Sequence, residues 1–347
     1  MDAPPLRIAL LGTPRSGNSW LRLLVGGATG IVTTAVHELT DAALEGLPRE
    51  CVVQIHWRRE PDFLARLAAN GFRVLTIARH PLDVLISILQ FAIHESESDR
   101  WLLGRAGDES GLFGAMPGSR AFVEYATGDR ARELFGVSAD WWQQPDITSV
   151  RYEDLVRDPL GELARLRDVY RPESTADLSE IVARYELAQL RKGSFNNHFW
   201  KGQPGHWRRF LTADIAGEIA AAHSDHFARL GYVADADPAL TDAQADRNWI
   251  AAAGPSLRAA LRRAASSHIH ERDGLRGERD RLSAELASAR SDAADARHEA
   301  AVARQDAAEE RARLVPFEGL QGFSVRVARA VQAVRDRAPF RRPPQPR

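Results

Sequence analysis

Cysteine is almost missing from this sequence: one, Cys51, stands among 347 residues. A single thiol forms no internal disulfide, which excludes a disulfide-stapled secreted scaffold. No Cys/His cluster has the spacing of a zinc site, so no metal is expected. Long apolar runs are lacking too, and none approaches the roughly 18 residues that a spanning helix needs. The N-terminus, MDAPPLRIALLGTPRSG, has no basic leader region and passes straight into Gly and Arg, unlike a signal peptide. Neither charge predominates, with 46 Lys+Arg against 47 Asp+Glu, which argues against a general nucleic-acid binder. What remains, 44% hydrophobic and 27% charged, is a globular composition, long enough for about two domains. A cytoplasmic enzyme is the expectation.

The composition changes along the chain. Residues 1–267 mix aliphatic runs, aromatics and turn residues, as a globular domain would. Residues 268–315 are rich in Ala, Arg and Glu and contain no aromatic until the boundary. Leu275, Leu282, Ala289, Ala296 and Ala303 recur every seven residues. Leu286, Ala293, Ala300, Ala307 and Leu314 follow four positions behind. That seam predicts a long helix and a coiled coil, used for a homodimer or for docking on another helix; a single solvated helix is the alternative. In 316–347 seven Arg face Glu318 and Asp336, a net charge of 7 − 2 = +5. Phe323, Val327, Ala330, Val331 and Val334 share one helical face there. This reads as a basic amphipathic segment for peripheral contact with a membrane, or as a helix packed on the body with a frayed tail.

The chemistry lies in the first 267 residues. Leu6–Gly12 is a short apolar run ending in Gly, as a buried parallel strand would. TPRSGNS follows, then the helical WLRLLVGGA. Strand, tight loop and helix together cradle phosphate through backbone N–H groups; a plain Gly-rich turn is the alternative. Gly12 and Gly17 have P-loop spacing, but Asn18 stands where the lysine belongs and the basic group is Arg15. Cys51–Ile55 reads as a second strand with His56 at its C-terminal end, the edge that faces a ligand crevice. Val74–Ala78 reads as a third, followed by Arg79, then Pro81 in a first helical turn and Ser87 two turns on. Arg79 and Ser87 suit a second phosphate, unless Arg79 merely pairs with Asp83. Ile147–Leu155 and the loop Trp200–Thr212, with Lys201, Gly202, Gly205 and Arg208, complete the set.

In this order the five segments resemble the sulfotransferases that use 3′-phosphoadenosine 5′-phosphosulfate (PAPS). TPRSGNSWLRLL is similar to their 5′-phosphosulfate loop and ARHPLDVLIS to their 3′-phosphate motif. QIHW stands where the family has its catalytic His, RYEDL matches a Tyr-Glu-Asp segment, and WKGQPGHWRRFLT resembles an Arg-Lys-Gly loop. The resemblance runs from about Arg7 to Gly231. It implies an α/β three-layer sandwich with a central parallel sheet and a P-loop-like phosphate loop, to which the long C-terminal helix is added.

The resemblance also implies roles. Arg15, Ser16, Gly17, Asn18 and Ser19 hold the 5′-phosphate, and Arg15 neutralises the leaving oxygen. Trp20 supports the adenine and Tyr152 lines the adenosine side. Arg79, Ser87, Lys201 and Gly202 bind the 3′-phosphate. His56 is the general base for a hydroxyl-bearing acceptor (a carbohydrate, glycolipid or small metabolite), and Glu38, after an earlier strand, is a second candidate. Two departures stand out. Trp200 replaces the family's Arg, leaving that contact to Arg191, Lys192 or Arg208. Gln54 replaces a basic residue two before the His. Residues 93–146 look loop-rich and are expected to shape the acceptor mouth, where Trp101, Phe113, Trp141 and Trp142 are candidates to stack on the acceptor or to be core. A P-loop kinase and a non-catalytic coiled-coil scaffold are the competing classes.

Overall fold

The computed structural model describes residues 5–93, 101–102, 107–192, 200–314 and 331–332. Five strands, β1 (Arg7–Gly12), β2 (Val32–Ala35), β3 (Cys51–Ile55), β4 (Phe72–Ala78) and β5 (Thr148–Arg151), form one sheet in the order β2-β3-β1-β4-β5. All pairings are parallel, with Leu11 beside both Ile55 and Thr76 and Ala78 beside Arg151. β1 after Arg7 and the whole of β3 are buried throughout because both faces are covered.

Helices α1 (Asn18–Thr29), α2 (Asp41–Glu45), α3 (Pro61–Ala69) and α4 (Pro81–Phe91) alternate with the first strands. Then come α5 (Arg120–Thr127), α6 (Asp129–Trp141), α7 (Tyr152–Arg157), α8 (Pro159–Tyr170), α9 (Leu178–Arg184) and α10 (Leu187–Lys192). After these come α11 (Ala213–Ala222), α12 (Ser224–Leu230) and α13 (Asp242–Leu314).

The side chains of successive strand residues point to opposite faces, and each face has its own layer. Ile8, Leu10, Leu75 and Ile77 meet Leu21 and Leu24 of α1, Leu163 and Leu166 of α8, and Ile181 of α9. Ala9, Leu11, Val53 and Ile55 meet Phe63 and Leu67 of α3 and Trp141 of α6. This is the three-layer α/β sandwich expected. Each fully buried Leu contributes about 1.5–3 kcal/mol, so α1 is fixed firmly behind the loop that precedes it. A third cluster joins Leu85 and Leu89 of α4 to Phe122, Phe135, Trp207, Phe210 and Trp249.

Two expectations need revision. Residues 107–146 are less loop-like than their glycines suggest. Gly128 only separates α5 from α6, and Gly136 lies inside α6, where an added Cβ would meet the Arg58 guanidinium at 2.3 Å. Trp141 and Trp142 are core, 0% and 6% exposed, while Phe113 is 47% exposed. The long helix expected from residue 268 begins at Asp242. Its first turns bury Ala245, Trp249, Ala253 and Ala260, so the compositional change near 268 marks where this burial has ended, not where the helix starts.

The chain divides into two compact units, Met1–Ala264 and Ala265–Arg347. The basic segment 316–347 lies outside the described residues apart from positions 331 and 332. Among the described residues no helix is long and apolar enough to cross a membrane.

Candidate active site

The C-terminal ends of β1, β3, β4 and β5 open on one crevice, the usual ligand position of a parallel sheet. Between β1 and α1 the chain turns through Thr13–Gly17. Two residues of this loop are left-handed, Arg15 at φ 70° and Gly17 at φ 97°. At Gly17 a Cβ would meet Tyr152 Cδ2 at 2.5 Å, so only glycine fits. Arg15 occupies a costly region for a residue with a Cβ, and its neighbours hold it there. Arg79 Nη1 donates to the Arg15 carbonyl at 3.1 Å. Arg15 Nε donates to Ser87 Oγ at 3.2 Å, and its guanidinium lies 4.6 Å from the Phe91 ring centre. The Thr13 amide donates to Ser138 Oγ at 2.8 Å and the Thr13 hydroxyl to the Leu134 carbonyl at 2.7 Å. Asn18 Nδ2 donates to the Thr13 carbonyl at 2.8 Å. The residue standing in for a P-loop lysine is therefore a brace within the loop.

A second loop closes over the first. Asp83 on α4 accepts from the amides of Gly205 and Trp207 at 2.6 and 3.0 Å. It anchors this loop, which replaces the Arg79–Asp83 ion pair that the sequence left open. Tyr152 OH donates to the Gly202 carbonyl at 2.7 Å, and the Arg79 guanidinium lies 4.5 Å from the Tyr152 ring centre. Burial pushes the phenol pKa up, so it stays a donor. Next to Tyr152, Glu153 accepts from the His80 amide at 3.0 Å and from Tyr232 OH at 2.6 Å, fixing the start of α7 against the start of α4.

His56 follows β3. Its Nδ1 lies 2.7 Å from the Gly12 carbonyl. A carbonyl only accepts, so Nδ1 carries the hydrogen and Nε2 keeps its lone pair. Burial lowers the His56 pKa to about 4, reinforced by the charges of His37 and Arg15 and opposed by the Gly12 bond. The ring is neutral at pH 7.

Arg15, Gly17, Asn18, Ser19, Trp20, His56, Arg79, Ser87, Tyr152, Lys201 and Gly202 all line one cleft of about 200 Å³. Ser16 and Glu38 do not. Ser16 is buried beneath the loop and Glu38 is exposed beyond β2. Three donors at or beside the cleft, Ser16 Oγ, Trp20 Nε1 and Arg79 Nε, are buried without a hydrogen-bond partner. Buried donors need acceptors, and an anion rich in oxygen meets that need. Arg15, Arg79 and Lys201 supply positive charge, while the Asp83 carboxylate is engaged by the second loop.

The remaining lining residues were less visible in the sequence. Trp101 and Phe91 stack at 5.1 Å on one side of the cleft. His206 lies 5.4 Å from the Trp200 ring and 4.9 Å from the Phe210 ring, and burial lowers its pKa to about 4. Its place between Gly205 and Trp207 was the only signal. None of the proposed substitutes for the family Arg lines the cleft. Arg191 donates to the carbonyls of Trp200 and Lys201, Lys192 to Gln189, and Arg208 to Asp235. Among the described residues no group of three or more His, Cys, Asp or Glu is placed to hold a metal ion.

The chain is similar to the solved structure of mouse sulfotransferase SULT7A1 complexed with PAP (16% identity, 67% of this chain and 91% of that one, TM-score 0.48). It is also similar to retinol dehydratase in a complex with retinol and PAP (15% identity, 70% and 85%, TM-score 0.46). A comparison with curated proteins found no match. The family model described as the sulfotransferase domain matches residues 5–231, from the approach to β1 through the glycine that ends α12. The chain therefore belongs to the sulfotransferase family, whose reaction is sulfonate transfer.

Proposed function

We propose that this enzyme takes its sulfonate group from PAPS and passes it to a hydroxyl of an acceptor, by in-line displacement with His56 as general base. The observation that carries the reading is the hydrogen bond from Arg79 to the Arg15 carbonyl. It joins the end of β4 to the loop after β1, which supports two anion-binding segments acting on one ligand with a phosphate at each end. When bound, PAPS supplies the sulfonate and the phosphate oxygen that leaves.

The geometry supports a role for each of the protein's own residues. The loop amides of Arg15–Ser19 and the Arg15 guanidinium stabilise negative charge on the leaving oxygen. Arg79, Ser87, Lys201 and Gly202 hold the 3′-phosphate. Trp20 and Tyr152, whose rings meet edge-on at 6.3 Å, border the nucleoside. His56 Nε2 takes the acceptor's proton, with Nδ1 oriented by Gly12. Glu38, exposed and away from the cleft lining, is the lesser candidate. Trp101 and Phe91 favour an acceptor with a flat apolar face, among the carbohydrates, glycolipids and small metabolites that remain in play. A cytoplasmic location belongs to the same proposal, with 316–347 as a peripheral contact to a membrane surface or as a helix packed on the body.

Calorimetry with 3′,5′-ADP and with ATP–Mg²⁺ tests the donor. Preference for the bisphosphate supports the proposal, preference for ATP–Mg²⁺ supports a kinase, and failure to bind either supports a scaffold. A PAPS-dependent acceptor screen, read as added sulfonate mass, then identifies the product.

A further inference from the structure

Along residues 272–310 of α13 every position is exposed, including Leu275, Leu282 and Leu286 at 61%, 53% and 52%. The apolar seam has a definite phase. Leu286, Ala293, Ala300 and Ala307 take the first apolar position of the heptad, and Leu275, Leu282, Ala289, Ala296 and Ala303 the second.

The two flanks of the seam differ in sign. On one side stand Glu278, Glu285, Asp292 and Glu299, each just before a first-position residue. On the other stand Ser283, Arg290, Arg297 and Arg304, each just after a second-position residue. Opposite helix orientations make opposite use of this pattern. In a parallel, in-register pair, an acidic flank residue faces the basic flank residue five positions later on the other helix. That matches Glu285 with Arg290, Asp292 with Arg297 and Glu299 with Arg304, each twice by symmetry. In an antiparallel pair, like flanks meet, and arginine faces arginine while carboxylate faces carboxylate.

We propose that residues 272–310 pair with the same segment of a second copy as a parallel, in-register two-stranded coiled coil. The charge complementarity selects both the partner and the direction. Alanine layers let the helices approach closely but bury little area, so the leucine layers carry most of the apolar contribution and association is modest. Arg279, at a first position, favours two strands over larger bundles.

Sedimentation equilibrium of the full chain over roughly 1–100 μM reads the association directly. A dimer is expected. The triple substitution Arg290→Glu, Arg297→Glu, Arg304→Glu should raise its dissociation constant at least about tenfold. Mixing that variant with one carrying Glu285→Lys, Asp292→Lys and Glu299→Lys should restore association. All six positions are exposed on the helix and belong to the unit Ala265–Arg347, so folding of the catalytic unit is not at stake. Direction is read from Ala303→Cys. In the parallel pair the two thiols adjoin, and mild oxidation should link the dimer covalently. In an antiparallel pair of the same span they lie tens of ångströms apart. Cys51 is buried, and the unsubstituted chain is the control. A monomer throughout the range, a dimer indifferent to the charge reversal, or a dimer that resists linking at 303 overturns the proposal.

Discussion

Arg79 reaches across from the end of β4 to the carbonyl of Arg15, 64 positions earlier, and closes the phosphate loop at 3.1 Å. The same guanidinium lies over the Tyr152 ring. One side chain thus sets the loop's shape and contributes a cation to the cleft. Arg79→Ala should weaken 3′,5′-ADP binding by about 10- to 100-fold, the range of a charge-assisted hydrogen bond of roughly 1.5–3 kcal/mol. Calorimetry checks this, and unchanged affinity would detach the two loops from a common ligand.

His56→Ala should leave nucleotide affinity within about twofold and remove most turnover, since general-base catalysis contributes about 10²–10⁴-fold. Glu38→Ala should leave turnover near that of the unaltered enzyme. In the free protein, the NMR titration of the His56 ring should have its midpoint near 4, below the ordinary 6.5, because burial penalises the imidazolium. If Glu38→Ala abolishes transfer while His56→Ala does not, the base assignment is reversed.

The same lowered values make a prediction about stability. His56 and His206 both have folded pKa values of about 4, below the ordinary 6.5 of an unfolded chain. Between these values the unfolded chain binds more protons, so stability rises with pH. The contribution is fully present above about 6.5 and is lost as pH falls through about 4, on the order of 1–3 kcal/mol for each ring. Thermal midpoints measured from pH 7 to pH 4 should fall, and His206→Phe should shallow that fall. A slope unchanged by the substitution would remove His206 from the account.

Asp83 makes two hydrogen bonds to backbone amides of the second loop. Asp83→Ala leaves both amides without their acceptor and should cost about 2–4 kcal/mol of stability. Asp83→Asn retains one acceptor and should fold better, with a raised KM for PAPS because Lys201 and Gly202 are held less firmly. A KM equal to that of the unaltered enzyme in Asp83→Asn would mean that the loop needs no such anchor.

The strand ends were the most legible part of the sequence. Largely apolar runs stop at Gly12, Ile55 and Ala78, and the structure ends β1, β3 and β4 there. Such a strand advertises itself because both its faces are buried. Long-range polar contacts leave no comparable trace. Asp83 lies 122 and 124 positions from its partners, and nothing local distinguishes it from a first-turn acid on α4. The resemblance assigns Arg15 and Ser87 to different phosphates, yet they hydrogen-bond to each other. Helix α6 was obscured by Gly136, a residue that usually signals a loop. Here it makes room for Arg58, which is held by Glu133 and Asp140 at 2.9 and 2.6 Å.

The contact between Gly17 and Tyr152 bears on how such a pocket can change over generations. A bulkier residue at 17 is strained by the left-handed backbone and would in addition demand a smaller one at 152, since the ring already fills the space. Shrinking that ring also strips the platform under Arg79 and the hydroxyl that grips Gly202. Four distant stretches of the chain thereby constrain one another, and a change at one of them is felt by the other three.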